Sequence, residues 1–185
     1  MLDMGFIPDI ERICSLLPPK RQTLFFSATM PTEIKRLVDR FLKDPERIEV
    51  TPQATTAGTI TQRFTFTAPD ARAKRAALRD LIITQEVKNA IIFCNRKRDV
   101  DIVFKSLSKH GFNVGCLHGD MDQRNRTMTL DQFRAGSIQL LAASDVAARG
   151  LDIPDVSHIF NYDVPIHAED YVHRIGRTGR AGRKG

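Results

Sequence analysis

Short apolar runs alternate with longer stretches of helical periodicity from Lys88 onward. The runs lie at 90–94, 114–117, 138–142 and 156–160. Between the first two, apolar residues recur at the i, i+3, i+4, i+7 spacing of one helix face: Val100, Val103, Phe104 and Leu107. Strands joined through helices pair in parallel, because each helix carries the chain back across the sheet. The sequence therefore predicts an α/β fold, with a parallel sheet and helices on both faces.

Glycines indicate where two of these helices end. The first predicted helix starts after Asn95 and stops at Gly111, and the second covers about 122–134 and stops at Gly136. In the second helix the inward-facing residues are predicted to be Met128, Leu130 and Phe133.

The first fifty residues have a different organisation. A buried strand is predicted at 23–26 and another at 48–50, with a helix after Pro31 between them that carries Ile34, Leu37, Val38 and Phe41 on one face. Two strands cannot bury their own helices. We therefore interpret residues 1–50 as the C-terminal remnant of one domain, 51–59 as a polar linker, and 60–185 as a second domain that opens with a strand at 60–67.

Composition excludes some classes of protein. The chain is 42% hydrophobic and 27% charged, as in a folded globular domain. The net charge of +6 fits an anionic partner and an ordinary basic surface about equally well. No apolar run reaches membrane-spanning length, and the N-terminus carries acids where a signal peptide has bases. We expect no membrane partner, and a location in the cytoplasm, or in the nucleus of a eukaryote.

The three cysteines, Cys14, Cys94 and Cys116, form no CxxC pair and lie among apolar residues. Buried, reduced thiols are the expected state, with no metal site and no disulfide.

Polar residues follow three successive predicted strands. They are 95–96, 118–120 and 144–152, and each loop taken alone could be ordinary turn chemistry. Ligands of parallel sheets bind at the carboxyl ends of the strands. Three such loops at one edge favour a binding surface.

The segment 173–180 places Arg174, Arg177 and Arg180 at a spacing of three, with glycines between them. Glycine weakens a helix, and nothing is expected to neutralise the arginines. A basic surface without bulky side chains suits close approach to a polyphosphate. The alternative is a solvated helix end, which the helix dipole favours.

In this order, the motifs resemble the C-terminal RecA-like domain of the DEAD-box RNA helicases of superfamily 2, preceded by the end of their N-terminal RecA-like domain. The resemblance runs essentially end to end. Ser27-Ala28-Thr29 is similar to the SAT motif, 90–95 to motif IV, Gln123 with Arg126 to the QxxR element, 144–152 to motif V, and 173–180 to motif VI. It implies a RecA-like sheet of the P-loop NTPase type, truncated here at both ends.

The resemblance also implies roles for individual residues. Arg177 and Arg180 would be arginine fingers on the γ-phosphate of ATP, and His173 would bridge to the first domain. Asp152 would bind the ATP ribose, next to Gly150. The residues implied in coupling the two domains are Ser27, Ala28, Thr29 and Arg174. Those implied in contacting the RNA backbone without regard to base sequence are Asn95, Arg96, Gly119, Gln123, Arg126, Ser144 and Arg149. Ser144 stands where threonine is commoner in motif V.

A P-loop needs Gly-Lys, which occurs nowhere in this chain, and no Asp-Glu pair is present to organise Mg²⁺. ATP with Mg²⁺ is therefore expected to bind mainly to the missing N-terminal RecA-like domain, and the isolated fragment is expected to be inactive. Two alternatives stay open: a DNA-directed superfamily 2 helicase, against which the opening His173 of motif VI counts, and a non-catalytic RNA-binding module.

Overall fold

Four parallel strands form the central sheet in this computed structural model. They are β1 (Ala90–Cys94), β2 (Val114–Leu117), β3 (Leu140–Ser144) and β4 (His158–Asn161). Their order across the sheet is β2-β3-β1-β4. The structure describes residues 7–27, 30, 32–48, 59–148, 153, 156–179 and 183–185. The predicted parallel α/β fold is confirmed.

The helices in chain order are α1 (Ile7–Leu16), α2 (Thr32–Phe41), α3 (Ala71–Thr84), α4 (Lys97–Lys109), α5 (Gln123–Arg134), α6 (Asp145–Ala148) and α7 (Ala168–Ile175). The chain divides into two compact units, Met1–Pro52 and Gln53–Gly185. The first unit holds α1 and α2, and the ion pair between Arg40 and Glu11 connects these two helices. The second unit holds the sheet and the other five helices.

Alternate residues of each central strand face opposite helical layers. Ile92 of β1 belongs to a core that includes Leu78 of α3 and Val103 of α4. Ile91, its neighbour along the strand, belongs to a second core, which includes Leu130 of α5. Every residue of β1 and β3 is buried. The helices therefore cover both faces of the sheet, as the sequence predicts.

Local chemistry sets the helix ends. The carboxylates of Asp70 and Asp122 cap α3 and α5 by accepting hydrogen bonds from the backbone N–H groups of Ala73 (2.8 Å) and Asn125 (2.9 Å). Gly111 and Gly136 have φ values of +82° and +75° just beyond α4 and α5, a conformation that glycine adopts without strain. Both predicted helix stops are confirmed.

The carboxyl ends of the strands lie level with one another. Cys94 at the end of β1 is opposite Ser144 at the end of β3, and Leu117 of β2 is opposite Ala143. Asn161, the last residue of β4, is opposite Phe93. Consequently the loops that follow all four strands begin at one edge of the sheet.

Several predicted boundaries were wrong. β3 and β4 start two residues later than the apolar runs suggested, since a strand begins where its partner does: Ala90 of β1 pairs with both Leu140 and His158. Met128 was predicted to face inward but is 51% exposed, whereas Leu130 and Phe133 are buried.

The segments 23–26 and 60–67 do not form strands. Leu24 and Phe26 are exposed, at 66% and 86%. A buried strand needs partners for its backbone groups, and the described residues of the first unit contain no other strand. Most of the predicted strand at 48–50 lies outside the described residues.

All three cysteines are free thiols, but only Cys94 is buried. Burial raises the pKa of the Cys94 thiol to about 12. Among the helices within the described ranges, none is long and apolar enough to cross a membrane.

The two faces of α5 provide a test of this packing. We expect Leu130→Ala to lower the free energy of unfolding by roughly 2–5 kcal/mol, because it empties part of the core. Met128→Ala, two residues away on the exposed side, should change it by less than ~0.5 kcal/mol. Urea unfolding of both variants measures the difference, and equal losses would contradict the burial of α5 described here.

Candidate functional site

Arg174 is the most unusual buried residue in the structure. It lies in the last turn of α7 and is only 1% exposed, although arginine is rarely buried without a charge partner. The partner is Asp145, which directly follows β3.

The guanidinium of Arg174 uses all five of its N–H groups. Nε and Nη2 donate to the two carboxylate oxygens of Asp145, at 2.7 and 2.6 Å. Nη1 donates to Oδ1 of Asn161 at 3.1 Å and to the backbone oxygen of Asp163 at 2.7 Å. The second hydrogen of Nη2 goes to Oδ1 of Asn95, at 2.7 Å. The buried charge is thus both neutralised and fully hydrogen-bonded.

These bonds join the carboxyl ends of three strands. Asn95 follows β1, Asp145 follows β3, and Asn161 ends β4. The guanidinium also lies 5.2 Å from the ring centroid of Phe93, within range of a cation–π interaction. Arg174 therefore fixes the positions of the loops at this edge of the second unit.

A second set of contacts surrounds Asp163. Its carboxylate accepts from Nζ of Lys74 at 2.6 Å and from the backbone N–H of Asn95 at 3.1 Å. The Lys74 ammonium lies 4.2 Å from the ring centroid of Tyr162. Tyr162, which directly follows β4, packs against the core, and burial raises the pKa of its phenol.

The loop after β2 is held by different partners. Nζ of Lys97 on α4 lies 2.7 Å from the carboxylate of Asp120, and this hydrogen bond lowers the pKa of the carboxyl group. Nε2 of His118 lies 3.2 Å from Oδ1 of Asp101, also on α4. Gly119, between the two anchored positions, is exposed.

Helix α5 begins at the same edge and carries two residues of the predicted RNA-binding set. Gln123 is its first residue and is exposed. The Nε atom of Arg126 is buried and has no hydrogen-bond partner among the described residues. A buried N–H without an acceptor is unfavourable, so a ligand oxygen at this position would relieve the cost.

The other described residues of that set differ in accessibility. Arg96 is exposed, whereas Ser144 at the end of β3 is 8% exposed. The side chain of Asn95 is committed within the unit: its oxygen accepts from Arg174, and its nitrogen donates to the backbone oxygen of Val164 at 2.9 Å. One amide hydrogen and one oxygen lone pair remain for a ligand.

The side chains of the basic segment 173–180 differ in burial. Arg174 points inward, whereas His173 is exposed and Arg177 is half-buried. The backbone of Arg177 is fixed by two bonds, its N–H to the oxygen of Arg174 (3.2 Å) and its oxygen from the N–H of Val156 (3.1 Å). The expectation that nothing neutralises these arginines was wrong for Arg174, because Asp145 is distant in sequence but adjacent in space. The predicted coupling role of Arg174 stays a prediction.

Six of the predicted site residues lie outside the described part of the chain: Ala28, Thr29, Arg149, Gly150, Asp152 and Arg180. Ser27 is described and exposed.

Sequence reasoning missed Asp145, Asn161 and Asp163 as organisers of the site. The signal was present, because Asn161 and Asp163 follow the fourth strand as the other polar loops follow the first three. No sequence pattern indicated that these residues would accept hydrogen bonds from one buried arginine.

A parallel sheet with polar and basic residues at the carboxyl ends of its strands is the ligand-binding arrangement of an open α/β domain. Residues 73–182 match the family model of the helicase conserved C-terminal domain, and residues 1–37 match that of the DEAD/DEAH box helicases. The chain belongs to the DEAD-box RNA helicase family.

Curated relatives match the whole chain. It is 48% identical to the DEAD-box ATP-dependent RNA helicase RhpA of Helicobacter pylori and 47% identical to CshA of Bacillus subtilis, a protein of the same description. In both comparisons the chain spans 37% of the relative's length.

Solved structures agree on the fold. S. cerevisiae Dbp5 bound to RNA and ADP BeF3 matches all of this chain over 49% of its own, with a TM-score of 0.87 and 32% identity. A DEAD box protein from Methanococcus jannaschii likewise matches all of this chain over 49% of its own, with a TM-score of 0.62 and 37% identity.

The hydrogen bonds of Arg174 to Asn95, Asp145, Asn161 and Asp163 form a network, which we call the Arg174 network. It leads to a prediction about stability. Arg174→Ala leaves the half-buried Asp145 without its charge partner, so it should lower the free energy of unfolding by about 3 kcal/mol, the lower end of the range for breaking a buried ion pair. Arg174→Lys should recover little, because an ammonium cannot make five bonds in one plane. Arg98→Ala on α4, where the side chain is exposed, is the matched control and should change stability by less than ~0.5 kcal/mol. Thermal and urea melts would measure all three, and a nearly neutral Arg174→Ala would contradict the importance of this network.

Proposed function

We propose that this chain is part of an ATP-dependent RNA helicase, in which it contributes RNA-backbone contacts and arginine side chains for ATP hydrolysis. The observation that carries the proposal is that the predicted RNA-binding residues lie together at one edge of the sheet. The described residues of the predicted RNA-binding set all lie on the loops after β1 and β2, at the start of α5, or at the end of β3. The names of the relatives support the same function.

The proposed organisation is that of two domains. Residues 1–50 would be the C-terminal part of an N-terminal RecA-like domain, 51–59 a linker, and 60–185 the C-terminal RecA-like domain. Ser27, Ala28, Thr29 and Arg174 are proposed to couple the two domains. The location of the protein is proposed to be the cytoplasm.

The RNA contacts are proposed to be independent of base sequence. Hydroxyl, amide, guanidinium and backbone N–H groups at loop tips suit phosphate and sugar, and the chain has no tryptophan for stacking on bases. The proposed residues are Asn95, Arg96, Gly119, Gln123, Arg126, Ser144 and Arg149. Arg126 is the strongest of them, because its buried Nε has no acceptor among the described residues.

This chain is proposed to supply only some of the contacts to ATP. Arg177 is described and half-buried at the end of α7, and with Arg180 it would stabilise charge on the γ-phosphate. His173 would complete the catalytic set, and Asp152 and Gly150 would contact the nucleotide. Because this sequence holds neither Gly-Lys nor Asp-Glu, the phosphate cradle and the Mg²⁺ ligands are proposed to come from the upstream domain.

RNA binding can be tested through its salt dependence. For the present chain we expect weak binding that is equal for two unrelated single-stranded RNA sequences, with log K falling by about 0.7 per decade of salt for each phosphate contacted. Arg126→Gln should flatten this slope by about one phosphate contact. Arg134→Gln, at the opposite end of the same helix, should leave it unchanged. Fluorescence anisotropy at several salt concentrations measures the slopes. A strong preference for one sequence, or equal slopes for both variants, would count against the proposal.

ATP turnover tests the arginine assignment. In the full-length protein, Arg177→Ala should lower kcat and kcat/KM together by about 10³–10⁵, because the contact forms only in the transition state. Arg177→Lys should rescue poorly, since it loses the planar fork. Single-turnover hydrolysis with a melt on the same samples separates this loss from unfolding.

Two controls accompany the turnover measurement. Arg72→Ala, exposed on α3, should leave turnover unchanged. The present chain alone should show no RNA-stimulated ATPase activity. Normal hydrolysis by a folded Arg177→Ala, Arg180→Ala double variant would remove the arginine-finger assignment.

A further inference from the structure

Three side chains of different chemistry meet at the carboxyl end of β2. Cys116 lies in β2, His118 directly follows the strand, and Asp101 reaches them from α4. Each offers one metal-ligating atom, and the three atoms lie within 4.8 Å of one another. We propose that Asp101, Cys116 and His118 bind a thiophilic divalent cation of the Zn²⁺ type.

The spacing fits such an ion. Zn–N and Zn–O bonds are about 2.0–2.1 Å long, so two ligands at a tetrahedral angle are separated by about 3.3 Å. Nε2 of His118 and Oδ1 of Asp101 are 3.2 Å apart. Small side-chain rotations are therefore enough to place these donors around one ion.

The donor set favours zinc over the harder cations. Thiolate, imidazole and carboxylate together are ligands typical of Zn²⁺, whereas Mg²⁺ and Ca²⁺ take oxygen ligands almost exclusively. Three protein ligands leave a fourth position for water, and the Asp101 side chain is 44% exposed, so an ion can enter from solvent.

The imidazole of His118 is fixed beside Asp101, and Nε2 is the nitrogen that an ion in this cluster would take. His118 is 9% exposed, and its Nδ1 is buried without a hydrogen-bond partner among the described residues. One ring nitrogen faces Asp101, and the other has no hydrogen-bond partner among the described residues. The ring is therefore held in place with one polar atom unpaired. In neither tautomer does the described part of the chain satisfy both nitrogens.

The proposed site is separate from the Arg174 network. That network joins the loops after β1, β3 and β4, whereas Asp101, Cys116 and His118 connect α4 to the end of β2. Metal binding would therefore brace the loop that carries Gly119, which the network does not reach. The cysteine spacing in the sequence gave no indication of it, because each ligand comes from a separate position in the fold.

Cobalt provides the direct test. Co²⁺ added to the reduced, tag-free chain should produce a thiolate-to-cobalt charge-transfer band, and Zn²⁺ should displace it. Cys116→Ser should abolish the band, whereas Cys14→Ser, at the half-buried cysteine of α1, should preserve it. Asp101→Asn should weaken binding by about tenfold or more. Absence of a band, or a band that survives Cys116→Ser, would overturn the proposal.

Thermal denaturation gives a second readout that needs no chromophore. Zn²⁺ should raise the melting temperature of the original chain and of Cys14→Ser, because an ion that binds only the folded state stabilises it. It should not raise that of Cys116→Ser or Asp101→Asn. Mg²⁺ at the same concentration should have no such effect. An equal shift with Mg²⁺, or an equal shift for Cys116→Ser, would show that the stabilisation does not come from this site.

Discussion

The buried guanidinium of Arg174 is the interaction on which the functional edge of the sheet depends. Ladder hydrogen bonds fix the strands, but they stop where the strands stop, so the loops beyond need other partners. Arg174 supplies them from the last turn of α7, with bonds to Asn95, Asp145, Asn161 and Asp163. Because each donor has an acceptor, the loops are held in one arrangement.

This arrangement limits what the edge can offer a ligand. The amide of Asn95 is occupied by Arg174 on one side and by Val164 on the other, so it acts first as a structural link between β1 and the loop after β4. Arg126 and Arg177 differ from Asn95, because neither takes part in the Arg174 network through its side chain. Arg126 has a buried donor without an acceptor in the described part of the chain, and Arg177 sits one turn beyond Arg174 with its backbone fixed. The Arg174 network thus positions the loops, whereas the proposed phosphate contacts fall to the neighbouring Arg126 and Arg177.

The end of β2 is organised independently. Lys97 pairs with Asp120, and His118 with Asp101, so two residues of α4 hold the loop after β2. Lys97 and Asp120 are both exposed, and a charged pair at an exposed surface is weak, so this pair contributes far less to stability than the buried Arg174 contacts. The proposed ion would add a further link between α4 and the loop that carries Gly119.

The sequence by itself determined the fold class and the approximate edge of the sheet at which the candidate site lies. Periodicity located the four strands of the sheet and the helices α2, α4 and α5, and polar residues after successive strands indicated the edge of the candidate site, because these signals are local and repeat along the chain. Periodicity did not locate α1, α3, α6 or α7. The sequence did not determine that segment 60–67 lacks strand pairing or that Met128 is exposed. Both depend on neighbours that only the folded chain provides. The pairing of Arg174 with Asp145 was likewise decided by the tertiary structure: twenty-nine positions separate them in sequence, and only the approach of α7 to the end of β3 brings their charges into contact.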